Sequence, residues 1–316
     1  MMPLDQTAKA WLTDTFADNV KFEEPMSRHT TFQVGGPAEA LVRPKDKSDL
    51  VRLVQWAAGH GIAYMPLGAG SNILVRENGI QGIVILLDGC LLSIDQKNAA
   101  ATDPSITAGA GVQMADLCSY ALKHGLQGLN FALGIPGTLG GSIRVNAGTS
   151  EGCMGDVIES VNLLMPQGSF RSLNKTDLVF SYRKLDWPIE STVETGCEPI
   201  ILEAVLHLQQ ADQHCIRNEA GRILKQRNKH QPWAAASAGC VFKNPLKGRS
   251  AGQLIDMAGL KGKCIGDAEV STRHANFIIN RGRATANDVL ALIDLIQSTV
   301  YQRFHIQLET EVRIVG

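Results

Sequence analysis

The sequence predicts an α+β protein organised in three regions, and three observations carry that reading. The chain has 316 residues, more than one hydrophobic core usually organises. With 44% hydrophobic and 19% charged residues, its composition is that of an ordinary soluble globular protein. A helix flanked by short strands opens the pattern, strands and turns dominate its middle, and a long helix feeding a strand closes it.

Residues 48–58 read as a helix. Ser48 is the candidate N-cap, Leu50, Val51, Val54 and Ala58 share one face, and Gly59 and Gly61 are stop signals. Residues 38–43 before it and 82–87 after it have the length and apolar content of strands, giving a βαβ-like unit over residues 20–88. The first region is therefore 1–88. The second, 89–212, holds a helix over 112–123 closed by Gly125, then a glycine-dense stretch, then strands and turns from Ile158 onward; residues 200–208 are its clearest strand. The third, 213–316, opens on a basic helix over 214–229 that Pro232 and Trp233 end. A helix over 287–303 follows, with Val289, Ile293, Ile296 and Val300 on one stripe and start signals in Thr285-Ala-Asn-Asp288. In a terminal strand over 307–315, Leu308, Thr310, Val312 and Ile314 face one way and Glu309, Glu311 and Arg313 the other. A charged face of that kind suits solvent or the lining of a cleft.

Charge and cysteine usage exclude several classes. A net charge of −1 gives no general pull toward nucleic acid or membrane. The basic stretch from Arg217 to Arg249, eight Lys/Arg against the single acid Glu219, has just Trp233 and Phe242 as base-stacking aromatics, so it points to a solvated face or a phosphate-bearing ligand. Residues 1–18 show no basic n-region followed by an apolar stretch, so no signal peptide is expected, and no apolar run approaches a membrane span. Seven scattered cysteines without a C-x-x-C pair argue against a disulfide framework and a structural zinc site, and the eight histidines show no ligand spacing. The expectation is a cytoplasmic protein with no metal and no obligate protein partner.

Two glycine-rich segments look built to wrap phosphates: Gly68-Ala-Gly-Ser-Asn72, and Gly134-Ile-Pro-Gly-Thr-Leu-Gly-Gly141 continuing to Asn146-Ala-Gly148. Glycines let main-chain N–H groups converge on an anion, and a diphosphate is the natural guest. Neither matches the dinucleotide G-x-G-x-x-G or the P-loop. A third segment, Ser237-Ala-Gly-Cys-Val-Phe-Lys-Asn-Pro245, sets a thiol, an ammonium and an amide beside a glycine turn. A cysteine alone is most often a small buried hydrophobe, but Lys243 and Asn244 so close to Cys240 favour a site.

That nonapeptide resembles the signature of the UDP-N-acetylenolpyruvoylglucosamine reductase family, and other segments agree in order. Thr30-Thr-Phe32 with Gly35-Gly-Pro37 is similar to its opening motif, and the two glycine-rich segments to its flavin loops. Phe180-Ser-Tyr-Arg183, Ala251-Gly-Gln-Leu-Ile255, Gly259-Leu-Lys-Gly262, His274-Ala-Asn-Phe277 and Leu308-Glu-Thr-Glu-Val-Arg313 complete the set. Two departures stand out: Thr149 to Met154 replaces an aromatic-glycine stretch, and Cys240 stands where many members have serine.

The resemblance implies a two-part FAD-binding module of the vanillyl-alcohol-oxidase type, in residues 1–88 and 89–212, with a C-terminal α+β substrate-binding domain in 213–316. It implies NADPH-driven reduction of UDP-N-acetylglucosamine enolpyruvate to UDP-N-acetylmuramate in peptidoglycan synthesis, with hydride from flavin N5. Gly68, Ala69, Gly70, Ser71, Asn72, Gly134, Ile135, Pro136, Gly137, Thr138, Gly140, Gly141, Asn146 and Gly148 are then expected to hold FAD. Arg183 and Glu311 are expected to stabilise the enolate and Cys240 to protonate it, while Tyr182, Lys229, Asn244, His274 and Arg313 are expected to contact substrate. Another flavin oxidase of that superfamily would keep the loops but has no reason to carry residues 237–245 or 308–313. A silent flavin or sugar sensor would have lost Arg183, Cys240 or Glu311.

Overall fold

The computed structural model describes residues 3–97, 104–189, 197–233 and 235–316. The chain divides into two compact units, each assembled from separated stretches: one from Met1–Glu23, Glu39–Ala69 and Gln81–Lys225, the other from Glu24–Ala38, Gly70–Ile80 and Gln226–Gly316. The short stretches 24–38 and 70–80, which the sequence groups with the first region, cluster with the C-terminal third.

Among the described residues, the first unit has two sheets of more than two strands. In one, the strands run in the order Val20–Pro25, Pro37–Val42, Ile80–Leu86, Tyr64–Leu67, the last two parallel with Tyr64 opposite Ile83. The helix Lys47–Gly59 buries Leu50, Leu53, Val54 and Ala57 in the same core as Ile83 and Ile85. Its N-cap is Asp46, whose carboxylate accepts from the Asp49 N–H at 2.8 Å, rather than the expected Ser48. The helix thus starts one residue earlier than the apolar stripe indicates. An N-terminal helix, Gln6–Phe16, adds Leu12 and Phe16 to this core and stacks Trp11 on Trp56 at 4.0 Å.

The other sheet has five strands in the order Phe170–Asn174, Ile158–Leu164, Ile200–His207, Ser105–Gly109, Ile94–Lys97, all neighbours antiparallel. The helix Met114–Lys123 covers it with Leu117, Cys118 and Ala121. That helix begins two residues later than expected because its approach is stitched to a loop: the Met114 N–H donates to Gly137 and the Leu139 N–H to Val112.

The second unit sets a three-stranded antiparallel sheet, Cys264–Ile265, Ala268–Val270 and Ile278–Asn280, beside the helices Ala251–Met257 and Ala286–Phe304. The long helix buries Val289, Ile293, Ile296 and Val300 as its stripe predicts, and Thr285 and Asp288 form a capping box. Phe32, Val34 and Leu74, from the two short early stretches, complete its core. The terminal strand is only Arg313–Val315, parallel to Ile73–Val75. Among the described residues, no helix is long and apolar enough to cross a membrane.

Candidate functional site

In the first unit the two glycine-rich segments meet. A Cβ on Gly68 would stand 2.2 Å from Thr138 Oγ1, so only glycine permits that approach. Thr138 is itself 2% exposed and N-caps the short helix Leu139–Arg144. The loop between reverses at Gly134 and Gly137, both with positive φ, and is pinned by the Gly140 N–H to the Ala110 carbonyl at 2.9 Å. Ile135 packs against the core while Pro136 is exposed. Two motifs far apart in sequence thus form one glycine-lined cradle, which fits the diphosphate of a dinucleotide.

Asn146 and Gly148 hold a neighbouring hairpin. Strands Val179–Ser181 and Lys184–Asp186 pair with Ser181 opposite Lys184, leaving Tyr182 and Arg183 as a two-residue turn. The Asn146 amide donates to Ser181 O at 2.9 Å and its Oδ1 accepts from the Gly155 N–H at 2.9 Å. Gly148 O accepts from Arg183 Nη1 at 2.9 Å, and the guanidinium lies 5.4 Å from the Tyr182 ring centre. Arg183 itself has φ 57°, a conformation that non-glycine residues avoid and that recurs at functional sites. Asn146 and Gly148, expected from the sequence to hold FAD, therefore spend their side-chain amide and carbonyl on presenting Arg183.

The second unit gathers the remaining candidates around the segment that follows Cys240. Gly239 turns with φ 75°, and Cys240 is half-buried. The Val241 carbonyl accepts from the Glu311 N–H at 2.7 Å, and the Lys243 N–H donates to Glu309 O at 2.9 Å. Asn72, from the first glycine-rich segment, donates its amide to Glu311 O at 3.3 Å and accepts at its own carbonyl from the Arg313 N–H at 3.1 Å. Cys240, Glu311, Arg313 and Asn72 thus sit on three strands of chain held by main-chain bonds. Gly70 turns beside them with φ 61°; a Cβ there would lie 2.2 Å from His29 O. Ala69 and Ser71 flank it, half-buried, and Gly141 is exposed in the first turn of the helix Leu139–Arg144.

His274 is half-buried, and its Nδ1 accepts from the Asn276 N–H at 3.3 Å, which leaves a neutral ring protonated at Nε2. Burial, reinforced by the Lys261 ammonium, holds its pKa below the ordinary 6.5. Asn244 Oδ1 accepts from the Ala251 N–H at 3.0 Å, closing the exposed loop before the helix Ala251–Met257. Lys229 is exposed in the last turn of the helix Gln213–His230. The ion pair of Lys243 with Glu309, at 3.3 Å, is too exposed to contribute much stability.

Two residues that sequence reasoning left out of the site stand at its centre. Thr31 donates its hydroxyl to Ser237 O at 2.7 Å and its N–H to Gly70 O, tying a glycine-rich segment to the cysteine segment. Asn276, 4% exposed, bonds both main-chain groups of Phe242. An amide inside the apolar run Ala275-Asn-Phe-Ile278 was the available signal, since a buried polar side chain requires partners.

A family model described as the C-terminal domain of UDP-N-acetylenolpyruvoylglucosamine reductase matches residues 231–315, and one described as an FAD binding domain matches residues 38–174. The UDP-N-acetylenolpyruvoylglucosamine reductase of Desulfosudis oleivorans is 47% identical over 313 residues, covering 99% of this chain and 100% of that protein. That of Heliobacterium modesticaldum is 40% identical over 305 residues, covering 96% and 93%. The crystal structure of the enzyme from Thermus caldophilus matches with a TM-score of 0.76 at 33% identity, covering 94% of this chain and 99% of that one.

Proposed function

The chain belongs to the UDP-N-acetylenolpyruvoylglucosamine reductase family, and on that premise we propose that it reduces UDP-N-acetylglucosamine enolpyruvate to UDP-N-acetylmuramate in the cytoplasm, for peptidoglycan synthesis. Bound FAD supplies the two-electron relay between NADPH and the enolpyruvyl double bond. The cradle of Gly68, Thr138 and the glycines of 134–141 receives its diphosphate.

Hydride addition to the methylene carbon pushes an electron pair onto the carbon bearing the carboxylate, giving an enolate. Arg183 holds that carboxylate and its growing charge, because a guanidinium stays ionised and binds carboxylate through two parallel bonds. Glu311 is the second polar group at the enolate. Cys240 gives its proton to the enolate carbon and recovers one from solvent, so the product gains one hydride and one proton as NADPH becomes NADP+. A thiol ordinarily titrates near 8.5 and so holds a proton to give at neutral pH. Tyr182, Lys229, Asn244, His274 and Arg313 are assigned to the substrate.

The observation that supports this reading is the bond from the Glu311 N–H to the Val241 carbonyl, next to Cys240, at 2.7 Å: one unit carries both the acid and its partner on directly bonded segments. Its test is a flavin absorbance spectrum under anaerobic conditions. The oxidised bands bleach with NADPH and return with the enolpyruvyl sugar nucleotide. In Cys240→Ala the bleaching persists and the return is lost, whereas a return driven only by oxygen in the wild-type protein identifies an oxidase instead.

A further inference from the structure

We infer that Asn276 is a positioning residue for the proton-donating segment: its side-chain amide fixes the main chain of Val241 and Phe242, and with it the place of Cys240 relative to Glu311. This rests on the roles proposed above for Cys240 and Glu311 and adds a residue to them. Asn276 Nδ2 donates to Phe242 O at 2.8 Å, and Oδ1 accepts from the Phe242 N–H at 3.0 Å. Its own carbonyl accepts from the Val241 N–H at 2.8 Å. One buried residue thereby makes three bonds to two consecutive residues. The Val241 carbonyl and the Lys243 N–H go to residues 309–312.

The chemistry of the amide is specific to this task. Phe242 offers one donor and one acceptor, and a carboxamide offers the complementary pair at peptide-like spacing. A carboxylate accepts only, and an aliphatic side chain leaves both Phe242 groups buried and unpaired. Val241 and Phe242 are each 1% exposed, so water does not substitute for the amide. Cys240 precedes this clasp directly and is itself preceded by Gly239, at φ 75° with no atom within 4 Å of where its Cβ would stand. The main chain just past the thiol is therefore held by Asn276 together with residues 309–312, and Asn276 is the side chain that grips Phe242. The Asn276 N–H, donated to His274 Nδ1, extends the same restraint to a candidate substrate contact.

The test uses the FAD-loaded enzyme and the variants Asn276→Ala and Asn276→Asp. Flavin bleaching by NADPH stays at the wild-type rate, while substrate-driven return slows by about 100-fold, the scale of a displacement near 1 Å. Iodoacetamide labelling, resolved by peptide mass spectrometry, changes several-fold at Cys240 and not at the exposed Cys264. Cys90 and Cys118, whose thiols burial pushes up to about 11 and about 12, serve as unlabelled references. In Asn276→Asp, lowering the pH from about 8 to about 6 restores the return, because a protonated buried carboxyl again donates to Phe242 O. Wild-type labelling of Cys240 in both variants overturns the inference. So does equal loss of both half-reactions with no change of Cys240 relative to Cys264, or an aspartate variant indifferent to pH. If Cys240→Ala keeps its substrate-driven return, the proton-donor role fails, and the labelling still reads whether Asn276 places the thiol.

Discussion

Arg183 meets two opposed demands at one position, a charged side chain and a main-chain conformation suited to glycine. Its positive φ costs about 1–2 kcal/mol, and its bond to Gly148 O returns about 1 kcal/mol. Arg183→Gly is therefore expected to keep its stability to within about 1 kcal/mol by thermal unfolding while losing turnover, which separates recognition from folding. Arg183→Lys keeps the charge but loses the paired bonds, and its KM for the enolpyruvyl substrate is expected to rise with kcat falling. His274 gives a prediction in pH. Its folded pKa lies below 6.5, so as pH falls through about 6.5 the unfolded chain takes up a proton that the folded chain refuses. Its contribution is full above that value and lost on acidification; His274→Asn should lose less stability than wild type between about pH 7.5 and pH 5.5, read as urea midpoints. At this scale the sequence singles out residues whose type implies chemistry by itself, as with Arg183 and Cys240, whose roles are those proposed above. It was opaque for Asn146, whose partners Ser181 and Gly155 come together only in the fold.

Four helices were legible to within two residues at their starts, because an apolar stripe and local capping chemistry mark them, while Gln6–Phe16 and Ala251–Met257 went unread. The capping box of Thr285 and Asp288 serves the helix Ala286–Phe304, whose first N–H donates to Glu77 Oε1 at 2.6 Å. Thr285→Ala should cost about 1 kcal/mol in thermal unfolding while leaving turnover unchanged. The terminal strand shows what periodicity cannot supply. Alternation over 307–315 is real, with Leu308 and Val312 buried and Glu309 and Arg313 exposed. Yet the segment changes partner midway: Thr310 bridges Phe242, and only Arg313–Val315 pairs with Ile73–Val75. A single-chain pattern records which side chains are apolar, not which neighbour a main chain bonds. The strand Tyr64–Leu67 went unread for a related reason, since Pro66-Leu-Gly68 marks a turn as strongly as a strand.

At the scale of the molecule, sequence order misleads about what folds together. The core of the second unit needs Phe32, Val34 and Leu74, and its terminal strand needs Ile73–Val75 as partner. A fragment of residues 226–316 is accordingly expected to lack cooperative unfolding by circular dichroism, and a folded fragment would contradict that dependence. The pairing that completes the unit also has a cost in time. Asn72 and Glu311 are separated by 239 positions, so at a synthesis rate of about 5–20 residues per second Asn72 waits roughly 12–50 s on the ribosome for its partner. Through that interval Ile73–Val75, three apolar residues in a row, has no strand beside it, the kind of edge that recruits other chains. Yield of this protein in a cell should therefore respond to the speed of translation between those positions, and to chaperones that shield a growing chain, more than to any single contact in the finished fold.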